Sequence, residues 1–400
     1  MNSSTPAAFS PRTVVVIGLI ALAVAMGIGR FSFTPLMPLM VRDGRLDGTT
    51  GAEWAAANYI GYLIGALSAS WFGRHPRLGL QLGLSGVAGS TLGMALLASA
   101  PLWMGGLLRG IAGVCSAWVL VCASSWCLPE LARRHAAAWG GWIYTGVGVG
   151  IALTGVLAWV GGTQSAQMLW MELGLLAIVG AVYVRYALPN PAPENGSQAA
   201  RAAPHPTTSS PTERTPFGLI FCYGAFGYGY IVPATFLPTM GRQLVDDPLV
   251  FGLTWPLFGL AAALSVALAS RWLAGWPRRQ VWALAQAVMA VGTLIPLLQQ
   301  SLWALATSAV LVGGTFMVAT MAGLQLAREQ RPSNPTPLLA RMTGAFAAGQ
   351  ITGPLLIRGM GAAGLAQSDA LSWANAIATL VLITTAAWLW RDAPTQPPIR

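Results

Sequence analysis

Charge is scarce in this chain of 400 residues. Only 8% of them are charged, against roughly 25% in an average soluble domain, while 55% are hydrophobic. A soluble globular enzyme is excluded on that balance, because it could not cover its surface with polar groups. Lysine is absent, so all 22 basic positions are arginine. Histidine is limited to His75, His135 and His205, and the cysteines Cys115, Cys122, Cys127 and Cys222 lie in apolar stretches without a CxxC pair or a nearby histidine. That pattern offers no metal site and no disulfide framework, and the cysteines read as small core residues. No GxxxxGK[ST] sequence occurs, which removes an ATP-driven pump from consideration. No cofactor is expected.

What the chain does have is apolar runs of membrane-crossing length. They fall at about 13–41, 52–73, 78–99, 101–128, 138–161 and 167–188, and again at 217–243, 249–273, 280–299, 301–327, 338–361 and 369–390. The first run is far longer than the apolar core of a signal peptide, so it reads as a retained span. The fold class expected is therefore an all-α polytopic membrane protein of twelve transmembrane helices. Arginines settle the orientation. With the N-terminus inside, Arg12, Arg74, Arg77, Arg133, Arg134, Arg185, Arg201, Arg214, Arg271, Arg278, Arg279, Arg328, Arg331, Arg341, Arg391 and Arg400 are cytoplasmic, and only Arg42, Arg45, Arg242 and Arg358 are outside. The positive-inside rule then places both termini in the cytoplasm. It also accounts for the net charge of +10, since a nucleic-acid surface would gather basic residues on one continuous face instead of scattering them over loops.

The segment 190–216 is rich in Pro, Ala, Ser and Thr with almost nothing bulky, and reads as a disordered cytoplasmic linker between a six-helix half at 1–189 and another at 217–400. The halves repeat. Gly27, Gly29, Pro38, Met40 and Arg42 align with Gly227, Gly229, Pro238, Met240 and Arg242 at a constant offset; further on Trp54, Trp71, Pro76 and Arg77 align with Trp255, Trp272, Pro277 and Arg278, Leu102-Trp103 with Leu302-Trp303, and Gly141, Gly146 and Gly150 with Gly344, Gly349 and Gly353. Because the order of spans is kept, the repeat is parallel, with its pseudo-twofold axis along the membrane normal.

Six plus six spans in parallel repeat, with a cytoplasmic linker, resemble the major facilitator superfamily of transporters. Arg109-Gly110-Ile111-Ala112-Gly113 is similar to that superfamily's fourth-span pattern. The stretch from Gly29 through Met40, with Gly349-Gln350-Ile351-Thr352-Gly353-Pro354, resembles its YbfB/YjiJ-type branch. The loop after the second span lacks the superfamily's acidic residue, and the fifth span lacks the Gly-Pro of the drug/proton antiporters. The resemblance implies a monomeric secondary transporter of the bacterial inner membrane, moving a small-molecule substrate by alternating access through a cavity lined by spans one, four, seven and ten, with protons as the coupling ion. Proton-driven efflux of amphipathic or toxic compounds is the alternative within that class. A membrane-embedded lipid-handling protein or enzyme is the alternative outside it, and such an enzyme would need a catalytic constellation that the spans do not supply.

Two arginines sit inside spans, where a charge needs a partner, a cavity or a ligand. Arg30 is about 12 residues from Arg42, which places it roughly 18 Å deep, near the midplane. With no carboxylate at its depth, its fork suits a carboxylate or phosphate, which points to an organic anion; a structural role is the other reading. For Arg109 the two readings are bonds to backbone carbonyls or polar groups of span one, and a direct part in binding or coupling. Polar lining is expected from Ser32, Thr34, Asn58, Tyr59, Tyr144, Tyr223, Tyr228, Tyr230, Thr235 and Gln350, each of which could equally close bonds between helices. Glu53 and Glu172, near the outer ends of spans two and six, are the candidate proton carriers, with a solvated helix end as the plain alternative. Gly146 with Gly150, and Gly349 with Gly353, are small-xxx-small pairs for close helix packing. The resemblance puts spans five and eleven at the contact between halves.

Overall fold

The computed structural model describes residues 10–97, 101–188, 217–244, 254–299 and 301–391, with the side chains of 48, 49, 235–244, 254, 367 and 368 left aside. The expected linker at 190–216 and Thr235 thus lie outside what is described. Among the described residues the chain forms twelve helical rods, which we number α1 (Pro11–Arg42), α2 (Gly48–Ser68, prolonged by the tighter turn Ala69–Phe72), α3 (Pro76–Ala95), α4 (Leu102–Arg133), α5 (Ala137–Val160), α6 (Ala166–Ala187), α7 (Phe217–Leu244), α8 (Thr254–Trp272), α9 (Arg278–Leu298), α10 (Leu302–Gln330), α11 (Thr336–Ala362) and α12 (Gln367–Arg391). Eight of them are long and apolar enough to cross a membrane: α1, α4, α5, α6, α7, α9, α10 and α12. Only a helix or a closed barrel satisfies its own backbone in hydrocarbon, so runs of this composition fold this way.

Ends are marked by the sequence. Ser10, Asp47, Ser165 and Ser301 cap their helices by accepting from backbone amides three residues on, and Pro11 and Pro76 occupy the first turn, where a missing amide proton costs nothing. The rods are apolar outside as well as inside. Trp71, Trp103, Trp272 and Trp303 are exposed at helix ends, as an aromatic belt at a membrane interface requires. They are two of the three tryptophan pairs that the repeat aligned.

Packing repeats with the sequence. In the first six rods α2 packs on α4, α3 on α4 and α6, and α1 on α5; in the second six α8 packs on α10, α9 on α10 and α12, and α7 on α11. The two sets meet along α5 against α8 and α2 against α11. Glycines permit both kinds of contact: the small-xxx-small pairs of α5 and α11 are close-packed as expected, and α5 and α11 also meet the other set. A side-chain carbon at Gly146 would lie 2.0 Å from the Leu19 carbonyl oxygen, and one at Gly150 2.4 Å from that of Ala23; at Gly349 it would lie 2.1 Å from the Gly224 oxygen, and at Gly353 2.7 Å from Ile231. These four glycines therefore seat α5 on α1 and α11 on α7, inside each set. The contact between sets uses another face of α5, where Gly148 meets Ala263 and Gly155 meets Pro256.

At the face opposite the termini, α1 is tied to the loop between α5 and α6. Arg42 donates to the carbonyls of Gly162 and Gln164, the latter at 2.6 Å, and the Ala166 amide donates to Asp43 at 2.6 Å. Burial works against ionising the Asp43 carboxyl, yet the Ala166 amide and the Arg42 and Arg45 guanidiniums outweigh it and hold that group below its ordinary value. The tie is complete above the unfolded carboxylate value of about 3.9 and is lost as pH falls through the lower folded value. Asp43→Asn should therefore melt below wild type at pH 7, by roughly 1–2 kcal/mol of stability, with the gap closing below about pH 4. Thermal melts of both proteins across that range check it.

Candidate functional site

The centre of α1 is not regular. From Ala23 to Phe31 it winds as a π-helix, a wider turn that carries Gly27, Gly29 and Arg30. Pro35 has no amide proton to return to the preceding turn, and carbonyls in this stretch are taken up by α4 instead. Ser116 Oγ donates to the Ala25 carbonyl at 2.6 Å, and Arg109 donates to the carbonyls of Gly29 and Arg30, both at 2.9 Å. Asn58 on α2 closes the arrangement by donating to the Arg109 carbonyl at 2.8 Å. Arg109 is 2% exposed, so its fork is a bracket that holds α1 to α4. Of its two expected roles, the geometry is that of the structural one. Arg109→Gln should cost about 3 kcal/mol, seen as lower membrane yield and a lower melting temperature.

Arg30, on the same turn, is 3% exposed and projects between the two sets. Its guanidinium lies 3.7 Å from the centre of the Tyr62 ring and 5.9 Å from that of Phe346, and one of its terminal nitrogens donates to Gln350 Oε1 on α11. Its Nε and Nη1 have no hydrogen-bond partner, nor does Gln350 Nε2. A cavity of about 10 Å3 lies beside it, walled by Met26, Arg30 and Phe31 of α1, Tyr62 of α2, Tyr223 of α7, and Phe316, Thr320, Thr343 and Phe346 of α10 and α11. This volume is room for a single water-sized sphere.

The other expected site residues are divided. Tyr230, the repeat counterpart of Arg30, does not line the cavity but stacks at 4.7 Å on Phe316, which does. Asn58 is spent on the Arg109 bracket. Tyr144 shares a hydrogen bond with Ser124 at 2.9 Å, Ser32 Oγ donates to the Ile28 carbonyl, and Tyr228 donates to the Ala374 carbonyl at 3.0 Å; these close contacts within the helix set. Thr34 is exposed, outside the cluster around Arg30. Glu53 is exposed and Glu172 half-buried, and neither lines the cavity.

Sequence reasoning missed several participants. Tyr62, Thr343, Phe316 and Phe346 lie in unbroken apolar runs that give no sign of which face turns inward. Glu130 was legible and overlooked: it follows Pro129 at the end of α4 and precedes Arg133 and Arg134 by three and four residues. It is buried and accepts from both, Arg134 Nε at 2.9 Å. Among the described residues no cluster of three His, Cys, Asp or Glu could hold a metal.

Twelve rods in two matching sets, apolar on their outer faces and enclosing a buried cation at a small central cavity, define a multi-pass membrane transporter. A family model described as "Uncharacterised MFS-type transporter YbfB" matches residues 22–389. The chain belongs to that family of the major facilitator superfamily, whose members transport a small-molecule substrate and are not enzymes. No curated protein matches it in sequence. Among solved structures it is similar to one described as the crystal structure of the human organic anion transporter MFSD10 (TETRAN), with a TM-score of 0.66 at 14% identity, over 97% of this chain and 99% of that chain. Likeness at that identity concerns the fold.

Proposed function

We propose that this protein is a secondary active transporter that moves a small organic anion across the bacterial inner membrane by alternating access, driven by a proton gradient. In this reading all twelve rods cross the bilayer, both termini are cytoplasmic, and residues 1–189 and 217–400 move as two halves joined by the segment between them. The observation that carries it is Arg30, a buried cation at the wall between the halves with two nitrogens left without a hydrogen-bond partner. An unpaired buried guanidinium is costly, and an anionic solute would offset that cost. The fold of an organic anion transporter agrees with the assignment. A cavity of about 10 Å3 admits no organic solute, against the roughly 300 Å3 or more of small-molecule sites, so entry requires the halves to part.

Flux tests this reading. The full-length protein in proteoliposomes should take up an organic anion faster when a proton gradient is imposed, with the solute recovered chemically unchanged. Flux of neutral or cationic solutes alone would overturn the anion assignment, and chemical conversion of the solute would overturn the transporter assignment.

A further inference from the structure

Buried polar atoms without partners are rare enough in a folded protein that several in one place call for a reason. Here Arg30 Nε, Arg30 Nη1 and Thr343 Oγ1 belong to residues that line one cavity, and Gln350 Nε2 adjoins them through the bond from Arg30. The Gln350 amide is oriented by the bond that its oxygen accepts from Arg30, so its NH2 group is left over. Thr343 precedes Gln350 by seven residues, which puts both on one face of α11 about 10 Å apart along its axis, with Thr343 at the cavity and Gln350 behind Arg30. Every unused nitrogen is a donor, and the Thr343 hydroxyl can donate too. Such a surplus matches a group that only accepts.

Charge narrows the match. Of the two buried arginines only Arg30 lines the cavity; Arg109 is turned to the Gly29 and Arg30 carbonyls with its Nε unpartnered, so Arg30 is the cation that can touch a ligand there. One positive charge suits one negative charge, and a second carboxylate or a phosphate dianion would bring a buried charge with no counterpart. A sugar brings a donor with each acceptor and leaves the surplus unresolved. Besides Tyr62, Tyr223 and Thr320, the rest of the wall is apolar, with Met26, Phe31, Leu120, Phe316, Met317 and Phe346, and Tyr230 stacks on Phe316. Aromatic rings favour stacked or edge-on ring partners, and methionine adapts to varied apolar shapes.

We infer that the site around this cavity, opened when the halves part, takes aromatic monocarboxylates, their single carboxylate held by Arg30 and Thr343 and their ring seated among Phe31, Phe316 and Phe346, while Gln350 orients the guanidinium. This rests on the anion-transport reading and narrows it to a substrate class. It also assigns Thr343 as a specificity residue and Gln350 as the residue that positions Arg30.

The probes are 2-naphthoate, its neutral isostere 2-naphthamide, succinate and citrate, applied to the purified full-length protein in thermal melts and to proteoliposomes in flux assays. 2-Naphthoate should raise the melting temperature and be transported, while the amide and citrate do neither. Thr343→Val should melt as wild type without ligand yet show KM for 2-naphthoate raised about tenfold or more, the value of one hydrogen bond to a charged group, and Thr343→Ser should restore it. Flux of succinate or citrate that requires Arg30, with no response to 2-naphthoate, would overturn this inference and leave anion transport standing. Flux only of neutral or cationic solutes would overturn both. A Thr343→Val protein with unchanged KM would remove Thr343 from the site, and the absence of any melting shift or flux with 2-naphthoate would sink the substrate class.

Discussion

Arg30→Gln is expected to abolish gradient-driven anion flux while the protein accumulates in the membrane at wild-type level. The two halves of that expectation come from different features of the site. Among the described residues Arg30 meets no carboxylate and is held by the Gln350 amide and the Tyr62 ring at 3.7 Å, so its removal takes few contacts from the resting fold and relieves a buried charge with no counter-ion. Its loss is felt when an anion is enclosed. Truncating one member of a buried charge pair costs about 2–5 kcal/mol, which is upward of roughly 30-fold in binding. Arg30→Lys keeps the charge but loses the planar fork and should fall between the two. Initial uptake rates, set beside size-exclusion profiles of the same preparations, separate lost function from lost folding. Wild-type flux from Arg30→Gln would make this arginine a structural residue and remove the reason for an anionic substrate.

The second large effect is steric. Gly150→Val should prevent accumulation of folded protein, because its first side-chain carbon would lie 2.4 Å from the Ala23 carbonyl oxygen and 2.9 Å from Gly27 Cα. The obstruction is helix backbone, which cannot rotate away, so the cost exceeds the roughly 1–3 kcal/mol of ordinary overpacking. It also falls on the turn of α1 that presents Arg30, so any protein that does fold should be inactive. Gly89→Ala is the control: no atom of a neighbour lies within 4 Å of the added carbon, and yield and melting temperature should not fall. Detergent-extracted yield and melting curves of the two variants decide the matter.

Much of this was legible before any coordinates. Arg30 stood out because a midplane charge must be explained, and the bracket made by Arg109 was one of two readings open from its place in α4. Trp71 with Trp272 and Trp103 with Trp303 marked the repeat and also the helix ends, since tryptophan serves a physical purpose at an interface. What could not be read was which face of each helix turns inward. In a soluble helix the polar side betrays the exposed face, but here exposed Leu67 and core-facing Tyr62 belong to equally apolar stretches. The cavity wall of Phe316, Thr343 and Phe346 was invisible for that reason. The glycine pairs were legible as close contacts but their neighbours were not: Gly146, Gly148 and Gly150 all announce close packing, and only the structure tells α1 from α8 as the partner.

The measurement that most directly tests a gated cavity between two moving halves is a distance across the face that bears the termini. There Ser125 on α4 accepts from Thr336 on α11 at 2.9 Å, and Gly73 approaches Asn334, so the two sets are in contact. Spin labels at Arg74→Cys and Ser333→Cys, exposed positions flanking that contact, in a protein with its four native cysteines replaced, would be read by pulsed electron resonance in lipid nanodiscs. Alternating access predicts two distance populations whose ratio shifts when the transported anion is added, and a ratio that no longer responds in Arg30→Gln. A single distance, unchanged by anion in the wild type, would contradict it.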